Sequence, residues 1–131
     1  MIDRAKVSTA PPWETIVGYS RAVRVGNQIW VAGTASVDAD GEVYAPGDAY
    51  AQTARCIEII EHALNRVGAS LADVVRTRIY VSEIADWEAV GRAHGEVFHE
   101  IRPASTLVQV AGLVDPEMLV EIDAEAVTSS Q

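Results

Sequence analysis

The sequence predicts a single α+β domain, in which one mixed β-sheet carries two α-helices on one face. Three observations support this fold class: the length, two segments with helical periodicity, and several short segments with strand-like alternation. The chain has 131 residues, enough for one hydrophobic core and too few for two, so residues 1–131 are expected to form one domain. The predicted order of elements, β-β-β-α-β-α-β-β, is typical of an α+β sandwich.

Short apolar segments separated by turn residues predict the strands. The clearest is a hairpin, because Gly26 and Asn27 lie between two apolar segments and tolerate positive φ. The residues before about position 17, which include Pro11 and Pro12, show no periodicity and are expected to form an extended arm. The predicted strands are residues 19–25, 28–32, 42–44, 74–82, 105–111 and 119–127.

Two segments have the i, i+3, i+4 spacing of helices with one buried face. The first is expected to begin after Asp48 as N-cap and to end at Gly68, a residue suited to the left-handed conformation. Gln52 is placed on the polar side of this helix. The second is expected to begin at Asp86 as N-cap and to end near Glu100.

Composition and charge limit the possible partners. The net charge is −9 and the ten basic residues are scattered, which speaks against a nucleic-acid partner. The N-terminus lacks the apolar segment of a signal peptide, and no apolar run is long enough to span a membrane. The single Cys56 cannot form an internal disulfide and is expected to be a buried, unreactive thiol. We therefore expect a cytoplasmic protein without nucleic-acid or membrane partners.

The sequence contains no motif for a metal or a cofactor. His62, His94 and His99 lack the spacing of metal ligands, and no paired carboxylate accompanies them. A glycine-rich phosphate loop, a Ser-His-Asp order and a Cys-x-x-Cys pair are also absent from the sequence. We expect neither a metal nor a cofactor.

The predicted strand that begins at Ser105 has two distinct faces. Side chains alternate along a strand, so Ser105, Leu107 and Gln109 share one face. The aliphatic Val108 and Val110 are expected to face the helices, which would leave the polar set on the opposite side. Two helices cover only one face of the sheet, and the other face of the sheet is partly apolar. This predicts burial against other subunits, with Trp30, Val31, Tyr80 and Leu107 as the apolar residues concerned.

Three acids share one face of the last predicted strand: Glu121, Asp123 and Glu125. This face is either solvated or paired with other residues, and Arg76 and Arg78 are the suggested partners. Alternatively, if Glu121 lay in a closed cleft beside Asp123, repulsion would raise a pKa and suit general acid–base catalysis. Both interpretations stay open from the sequence.

Several short motifs follow one another in a characteristic order. They are Gly18-Tyr19, Gly33-Thr34, Gly68-Ala69-Ser70-Leu71-Ala72-Asp73, Arg102-Pro103-Ala104-Ser105-Thr106 and Glu121-Ile122-Asp123-Ala124. In this combination the chain resembles the RidA/YjgF family of small trimeric proteins, whose best-studied members hydrolyse reactive enamines and imines. The resemblance covers nearly the whole chain and implies a chorismate mutase-like fold, a homotrimer and ligand clefts between adjacent subunits.

The resemblance also implies roles for individual residues. Glu121 matches the acid that positions the attacking water, and Tyr19 matches a tyrosine near the cleft mouth. Deaminating members carry Arg after Pro-Ala, where it binds the substrate carboxylate, but this chain has Ser105. Gln109 replaces an acid, Ala32 stands where Ser is common, and Gly91 stands where Asn is common. The implied binding residues are Tyr19, Gly33, Ser105, Thr106, Leu107, Gln109 and Arg102, the last as a substitute cation together with Arg92.

Two functions follow from this half-matching site. The first is a divergent enamine or imine deaminase with Glu121 as the catalytic residue, acting on a reactive small metabolite in the intersubunit cleft. The alternative is a non-catalytic trimer that binds a small molecule or has a regulatory role. RNA cleavage, an activity attributed to some relatives, is disfavoured by the acidic charge.

Overall fold

A computed structural model describes residues 3–9 and 12–129 of the chain. In these residues, six strands form one mixed sheet and two α-helices pack on one of its faces, which confirms the predicted fold class. The bounds are β1 (Ala5–Val7), β2 (Ala22–Val25), β3 (Gln28–Ala35), α1 (Ala49–Arg66), β4 (Val74–Val81), α2 (Trp87–Phe98), β5 (Ala104–Gln109) and β6 (Val120–Val127).

The strands lie in the order β1-β2-β3-β6-β4-β5. All neighbouring pairs are antiparallel except β4 and β5, which run parallel and are joined through α2. A parallel pair needs such a crossover, because a tight hairpin can only join antiparallel strands. The last strand of the sequence, β6, therefore lies in the middle of the sheet, and β5 forms one edge.

The core lies between the sheet and the two helices. Ile57, Ile60 and Leu64 of α1 pack with Ile29 of β3 and Ile122 of β6, and all five are buried. Cys56 belongs to the same cluster, as predicted, and burial raises the pKa of its thiol. The opposite face of the sheet carries no helix, and we call it the open face.

The prediction for the N-terminal third was partly wrong. Residues 42–44 do not form a strand, and only an isolated bridge joins Val37 to Val43. The third N-terminal strand is instead β1, which pairs with β2 at the sheet edge, and residues Glu14–Gly18 form one helical turn. The predicted arm is therefore largely structured, although Met1, Ile2, Ala10 and Pro11 lie outside the described residues.

Gln52 is a second correction, since its side chain is fully buried instead of lying on a polar face. Its Nε2 donates to the carbonyl oxygens of Ala45 (3.2 Å) and Glu117 (3.0 Å), and its Oε1 accepts from the Leu119 amide at 2.8 Å. The amide thus satisfies three backbone groups and holds the segment before β6 against the start of α1. Helical periodicity cannot distinguish such a buried amide from an exposed one.

The two helices begin differently. Asp48 caps α1 as predicted, because its Oδ1 accepts a hydrogen bond from the Ala51 amide at 3.0 Å. Gly68 follows the end of α1 with φ +78°, which confirms the predicted stop. Asp86 precedes α2 but makes no side-chain capping bond, and α2 ends at Phe98, two residues before the predicted end near Glu100.

We expect Asp48→Ala to lower the free energy of unfolding by about 1 kcal/mol, the usual contribution of an N-cap. Asp86→Ala is the matched control, since Asp86 stands at the corresponding position of α2 without a capping bond. It should change stability by less than about 0.5 kcal/mol. Urea unfolding of both variants measures the difference, and equal losses would contradict the capping role.

Candidate functional site

A cavity of about 700 Å³ opens beside β3. Its walls come from the N-terminal turn, the chain around the end of β3, the outer side of α1 and the segment before β6. Tyr19, Arg21, Gly33 and Glu121 lie together on one part of the lining. A concave site with a few convergent polar groups in an otherwise apolar lining is the usual form of a small-molecule site.

A β-bulge in β3 brings Gly33 against Glu121. The register of β3 with β6 shifts between Val31, which pairs with Ala124, and Thr34, which pairs with Ile122. Two residues of β3 therefore face one residue of β6, as in a bulge next to many active sites. A Cβ atom on Gly33 would overlap Oε2 of Glu121, so a larger residue here would displace the Glu121 carboxylate from this position.

Arg21 supplies a buried cation that the sequence analysis missed. The residue is 5% exposed, and its Nη1 donates to the Gly33 carbonyl oxygen (2.7 Å) and to Thr34 Oγ1 (2.8 Å). Its Nη2 donates to the Tyr19 hydroxyl at 3.2 Å. The guanidinium therefore fixes the bulge and the tyrosine with respect to each other.

Glu14 balances the charge of Arg21 from the N-terminal turn. It is also 5% exposed, and its Oε2 lies 3.6 Å from Nε of Arg21. Both the amide (3.0 Å) and the hydroxyl of Thr9 donate to the same carboxylate. One signal in the sequence pointed to this pair: Glu14 is the only acid between Asp3 and Asp38.

Glu121 is half-buried, and burial raises the pKa of its carboxyl above the usual value. The charge of Arg21 lowers that pKa, while Asp123 raises it further. The predicted repulsion from Asp123 is therefore present, but burial is the larger cause. The net result is a carboxyl group that takes up a proton more readily than an exposed glutamate.

The other two acids of β6 behave differently. Arg78 of β4 donates from Nε to Asp123 (3.0 Å) and from Nη2 to Glu125 (2.9 Å), and the Tyr80 hydroxyl donates to Asp123 at 2.9 Å. The prediction that Arg78 pairs with this acidic face is confirmed for these two residues. Glu121 has no ion pair with Arg78 in the described part of the chain, which leaves it available to a ligand.

The predicted facing of β5 is wrong. In the parallel register Ser105 lies beside Thr77, and the Thr77 hydroxyl donates to Ser105 Oγ at 2.8 Å. Thr77 is fully buried and also bonds to His94 of α2, so Ser105 points toward the helices. Leu107 and Gln109 share that direction, whereas Thr106 and Val108 point to the open face. The prediction assumed that the aliphatic side chains face the helices, but Val108 lies on an edge strand and is 43% exposed.

Within one chain, the proposed binding residues do not all meet. Tyr19, Gly33 and Glu121 line the cavity, whereas Ser105, Thr106, Leu107 and Gln109 lie on β5, with β4 and β6 between them and β3. The Gln109 side chain accepts from the Ile84 amide at 2.7 Å.

The two suggested substitute cations also lie outside the cavity lining. Nε of Arg102 donates to the His99 carbonyl oxygen at 3.0 Å. The guanidinium of Arg92 stacks 4.7 Å from the centre of the Tyr50 ring. The cation near Glu121 is Arg21 instead.

Residues 3–9 and 12–129 contain neither a metal-binding cluster of side chains nor a membrane-spanning helix. No group of three or more His, Cys, Asp or Glu side chains is arranged to hold a metal ion. No helix in these ranges is long and apolar enough to cross a membrane.

The fold and the cavity define a small α+β protein with a carboxylate in its cavity lining. The family described as Endoribonuclease L-PSP matches residues 8–128, and the chain belongs to this family, which is the RidA/YjgF family. The resemblance noted in the sequence is thereby confirmed.

Two relatives illustrate the range of the family. The chain is 40% identical over 114 residues to the 3-aminoacrylate deaminase RutC of Acinetobacter baylyi, covering 87% of each protein. It is 38% identical over 121 residues to the uncharacterized protein SCO2049 of Streptomyces coelicolor, covering 92% of this chain and 90% of the relative.

Solved structures of the family share the fold. Rv2704 of Mycobacterium tuberculosis, a member of the YjgF/YER057c/UK114 family, superposes with a TM-score of 0.88 at 45% identity, covering 96% of this chain and all of the other. The YjgF gene product of E. coli gives a TM-score of 0.82 at 29% identity, covering 94% of this chain and 98% of the other.

We expect Glu121→Gln to stabilise the protein at about pH 7, because the folded state then no longer holds a half-buried carboxylate. The pKa of Glu121 is raised on folding, so its ionisation costs stability above the folded pKa and costs nothing below the unfolded value near 4.5. The stabilisation should therefore disappear as the pH falls to about 4. Exposed Glu61→Gln on α1 is the control. Denaturant unfolding at both pH values measures the effect, and a gain in stability that is largest at low pH would refute the assignment.

Proposed function

We propose that the protein hydrolyses the C=N bond of a reactive enamine or imine, with Glu121 as the catalytic residue. The observation that carries this proposal is the half-buried Glu121 carboxyl in the cavity, with its raised pKa and no salt bridge to Arg78. A carboxyl group whose pKa is raised is, once ionised, a stronger base than an exposed glutamate, as general acid–base catalysis requires. The 40% identity to a 3-aminoacrylate deaminase supports the same reaction class.

The reaction needs one water and releases one ammonia. An enamine first becomes an imine when its β-carbon takes up a proton and its nitrogen releases one. Ionised Glu121 then accepts a proton from water as the water oxygen bonds to the C=N carbon, and the C=N electron pair moves to nitrogen, which is protonated. Glu121 then returns its proton to the carbinolamine nitrogen, and the hydroxyl proton passes back to the group that protonated this nitrogen in the first step. The C–N bond breaks with its electron pair moving to nitrogen, and ammonia leaves with a carbonyl product.

Tyr19 and Arg21 assist the hydrolysis by orienting groups around Glu121. The Tyr19 hydroxyl accepts a hydrogen bond from Arg21 Nη2, so its own proton is free to be donated elsewhere, for example to the substrate nitrogen. Arg21 also holds the Gly33 carbonyl group, which keeps the bulge beside Glu121. Imines are already electrophilic, so positioning and one acid–base group supply the acceleration that is needed.

A non-catalytic binding protein is the second candidate function. One observation favours it: Ser105 and Gln109, which replace charged residues of deaminating relatives, form hydrogen bonds within the chain. They are thus engaged as structural groups on the helix side of β5. The cavity could then bind a metabolite without converting it.

We also propose that the protein assembles as a homotrimer through the open face, with the cavity completed by the adjacent subunit. Trp30 and Val108 are both 43% exposed there, beside the half-buried Tyr80. This arrangement would bring β5 of one subunit toward the cavity of the next. The cytoplasmic location and the absence of cofactors, nucleic-acid partners and membrane partners stay predictions from composition.

The catalytic proposal is tested with imines and enamines generated in situ by an amino-acid oxidase, following semicarbazone formation as the competing reaction. Wild-type protein should accelerate hydrolysis, and Glu121→Gln should lower the rate about 100-fold. The rate should also fall at acidic pH, because the base must be ionised and its pKa is raised. Glu61→Gln should leave the rate unchanged. A wild-type rate equal to the uncatalysed background would reject the enzyme and favour the binding protein.

Light scattering after size exclusion tests the assembly. The wild type should show three times the 14.1 kDa mass of one chain. Val108→Asp on the open face should shift the mass to that of a monomer, because it would bury a charge in the interface. Val97→Asp on the outer side of α2 is the matched control and should remain trimeric. A monomeric wild type at micromolar concentration would exclude the trimer.

A further inference from the structure

Glu14 is a buried carboxylate that the mechanism proposed above does not use. It belongs to the N-terminal turn, and both the amide (3.0 Å) and the hydroxyl of Thr9 donate to it. A buried charge is costly without a counter-ion, and the counter-ion of Glu14 is Arg21 at 3.6 Å. Because Arg21 lines the cavity, this pair connects the N-terminal turn with the surroundings of Glu121.

Arg21 lies near two carboxylates, Glu14 and Glu121. Its Nε forms the ion pair with Glu14, and its Nη1 donates to the Gly33 carbonyl oxygen at 2.7 Å. Gly33 is also the residue that lies against Oε2 of Glu121, since an added Cβ atom would overlap that oxygen. Gly33 therefore contacts both the guanidinium and the Glu121 carboxylate.

Arg21 pairs with only one of these two acids. In the described part of the chain, it forms no ion pair with Glu121 within 4.0 Å. Its two Nη atoms are bonded to Gly33, Thr34 and Tyr19 instead. A guanidinium whose charge is balanced and whose donors are satisfied gains little from a second carboxylate. Glu121 can therefore lie beside the cavity without a salt bridge to Arg21.

We propose that Glu14 is a positioning residue for Glu121. By pairing with Arg21, it keeps the guanidinium bonded to the Gly33 bulge and to Tyr19, and so prevents a salt bridge between Arg21 and Glu121. The inference rests on the proposed function, in which ionised Glu121 accepts a proton from water. A carboxylate held in a salt bridge is a weaker base, because the cation stabilises its ionised form. Glu14 thus acts on the reaction through Arg21, without touching the substrate.

The charge of Glu14 can be removed with little change of shape. Glutamine has nearly the same size, and its amide oxygen can still accept the hydrogen bond from the Thr9 amide. In Glu14→Gln the buried Arg21 loses its counter-ion, and Glu121 is the carboxylate that the Gly33 bulge brings next to it. We expect Arg21 then to pair with Glu121.

Other ionisable groups surround Glu121, and this substitution leaves all of them in place. Those whose charges interact with Glu121 are Arg21, Asp123, Cys56 of α1 and Tyr80 of β4. The cavity lining also contains Tyr19, Asp38, Arg55, Glu58 and His62. Because these groups are common to both proteins, a difference between the wild type and Glu14→Gln reports the charge of Glu14.

Carbon-13 NMR of the glutamate carboxyl groups measures the pKa of Glu121 without any substrate, and the Glu121→Gln spectrum assigns its signal. Glu14→Gln should lower this pKa by about one pH unit, the effect of a close cation. The exposed Glu61→Gln is the control and should leave it unchanged. An unchanged or raised pKa of Glu121 in Glu14→Gln would overturn the inference.

A double variant distinguishes a charge effect from a loosened N-terminal turn. Glu14→Gln combined with Arg21→Gln should raise the pKa of Glu121 above the wild-type value, because the cation that lowers it is gone. Loosening of the turn would admit water in both variants and change the pKa in the same direction in each. Changes of the same sign in the single and the double variant would therefore contradict the positioning role.

Should Glu14→Gln fail to fold, Glu14→Asp decides. Aspartate keeps the charge but is one methylene shorter, which moves the carboxylate away from Arg21 and weakens the pair. The pKa of Glu121 should then fall by a smaller amount, about 0.3 pH units. An unchanged or raised value would count against the inference.

The pH dependence of imine hydrolysis gives a second measurement. In Glu14→Gln the acidic limb of the rate profile should move to lower pH by the same amount as the pKa of Glu121. The rate on the plateau should fall about threefold to tenfold, because the base is weaker. A lower rate with an unmoved acidic limb would indicate a merely structural role of Glu14 and reject the inference.

The two measurements separate this inference from the proposed function. A lowered pKa of Glu121 in Glu14→Gln without hydrolysis by the wild type would reject the enzyme alone, and the control of Glu121 by Glu14 would stand. Hydrolysis by the wild type with an unchanged pKa of Glu121 in Glu14→Gln would reject the positioning role alone.

Discussion

The burial of one positive charge organises this end of the molecule. A guanidinium that is 5% exposed is tolerated only if its donors and its charge are satisfied within the protein. For Arg21 this requires the Gly33 carbonyl group, the Thr34 hydroxyl, the Tyr19 hydroxyl and the Glu14 carboxylate. These partners come from the bulge of β3, the start of the hairpin and the N-terminal turn, so one guanidinium joins three segments of the chain.

The charge of Arg21 also affects the pKa of Glu121. An uncompensated Arg21 beside Glu121 would hold that carboxyl firmly in its ionised form, as in an ordinary buried salt bridge. Arg21 is paired with Glu14, and burial affects the Glu121 carboxyl more than the charge of Arg21 does, so the pKa of Glu121 is raised. The N-terminal turn, which supplies Glu14, therefore contributes to the charge balance beside the cavity.

Most of the fold could be predicted because periodicity reports burial. The helix that begins after Asp48 and the hairpin around Gly26 have strong local signals, and both are confirmed. Prediction failed where a long-range contact decides the outcome. β1 forms a strand because β2 offers it an edge. Gln52 is buried because its amide bonds to the backbone of Glu117 and Leu119, 65 and 67 residues away, as well as to Ala45. Ser105 faces the helices because its parallel register follows Thr77. For the cavity, Tyr19, Gly33 and Glu121 were identified by resemblance, whereas Arg21 and Arg55 required the three-dimensional arrangement.

Three carboxylates on one face of β6 show how little the residue type alone determines. Glu121, Asp123 and Glu125 follow each other at a spacing of two and point the same way from the strand. Asp123 and Glu125 lie beside Arg78, which binds both. Glu121 instead lies beside the glycine bulge of β3. The nearby Arg21 is paired with Glu14, and a cavity adjoins the Glu121 carboxyl group. The adjacent strands therefore distinguish the acid available for chemistry from the two that serve structure, so the assignment of Glu121 depends on the geometry of β3 more than on its own strand.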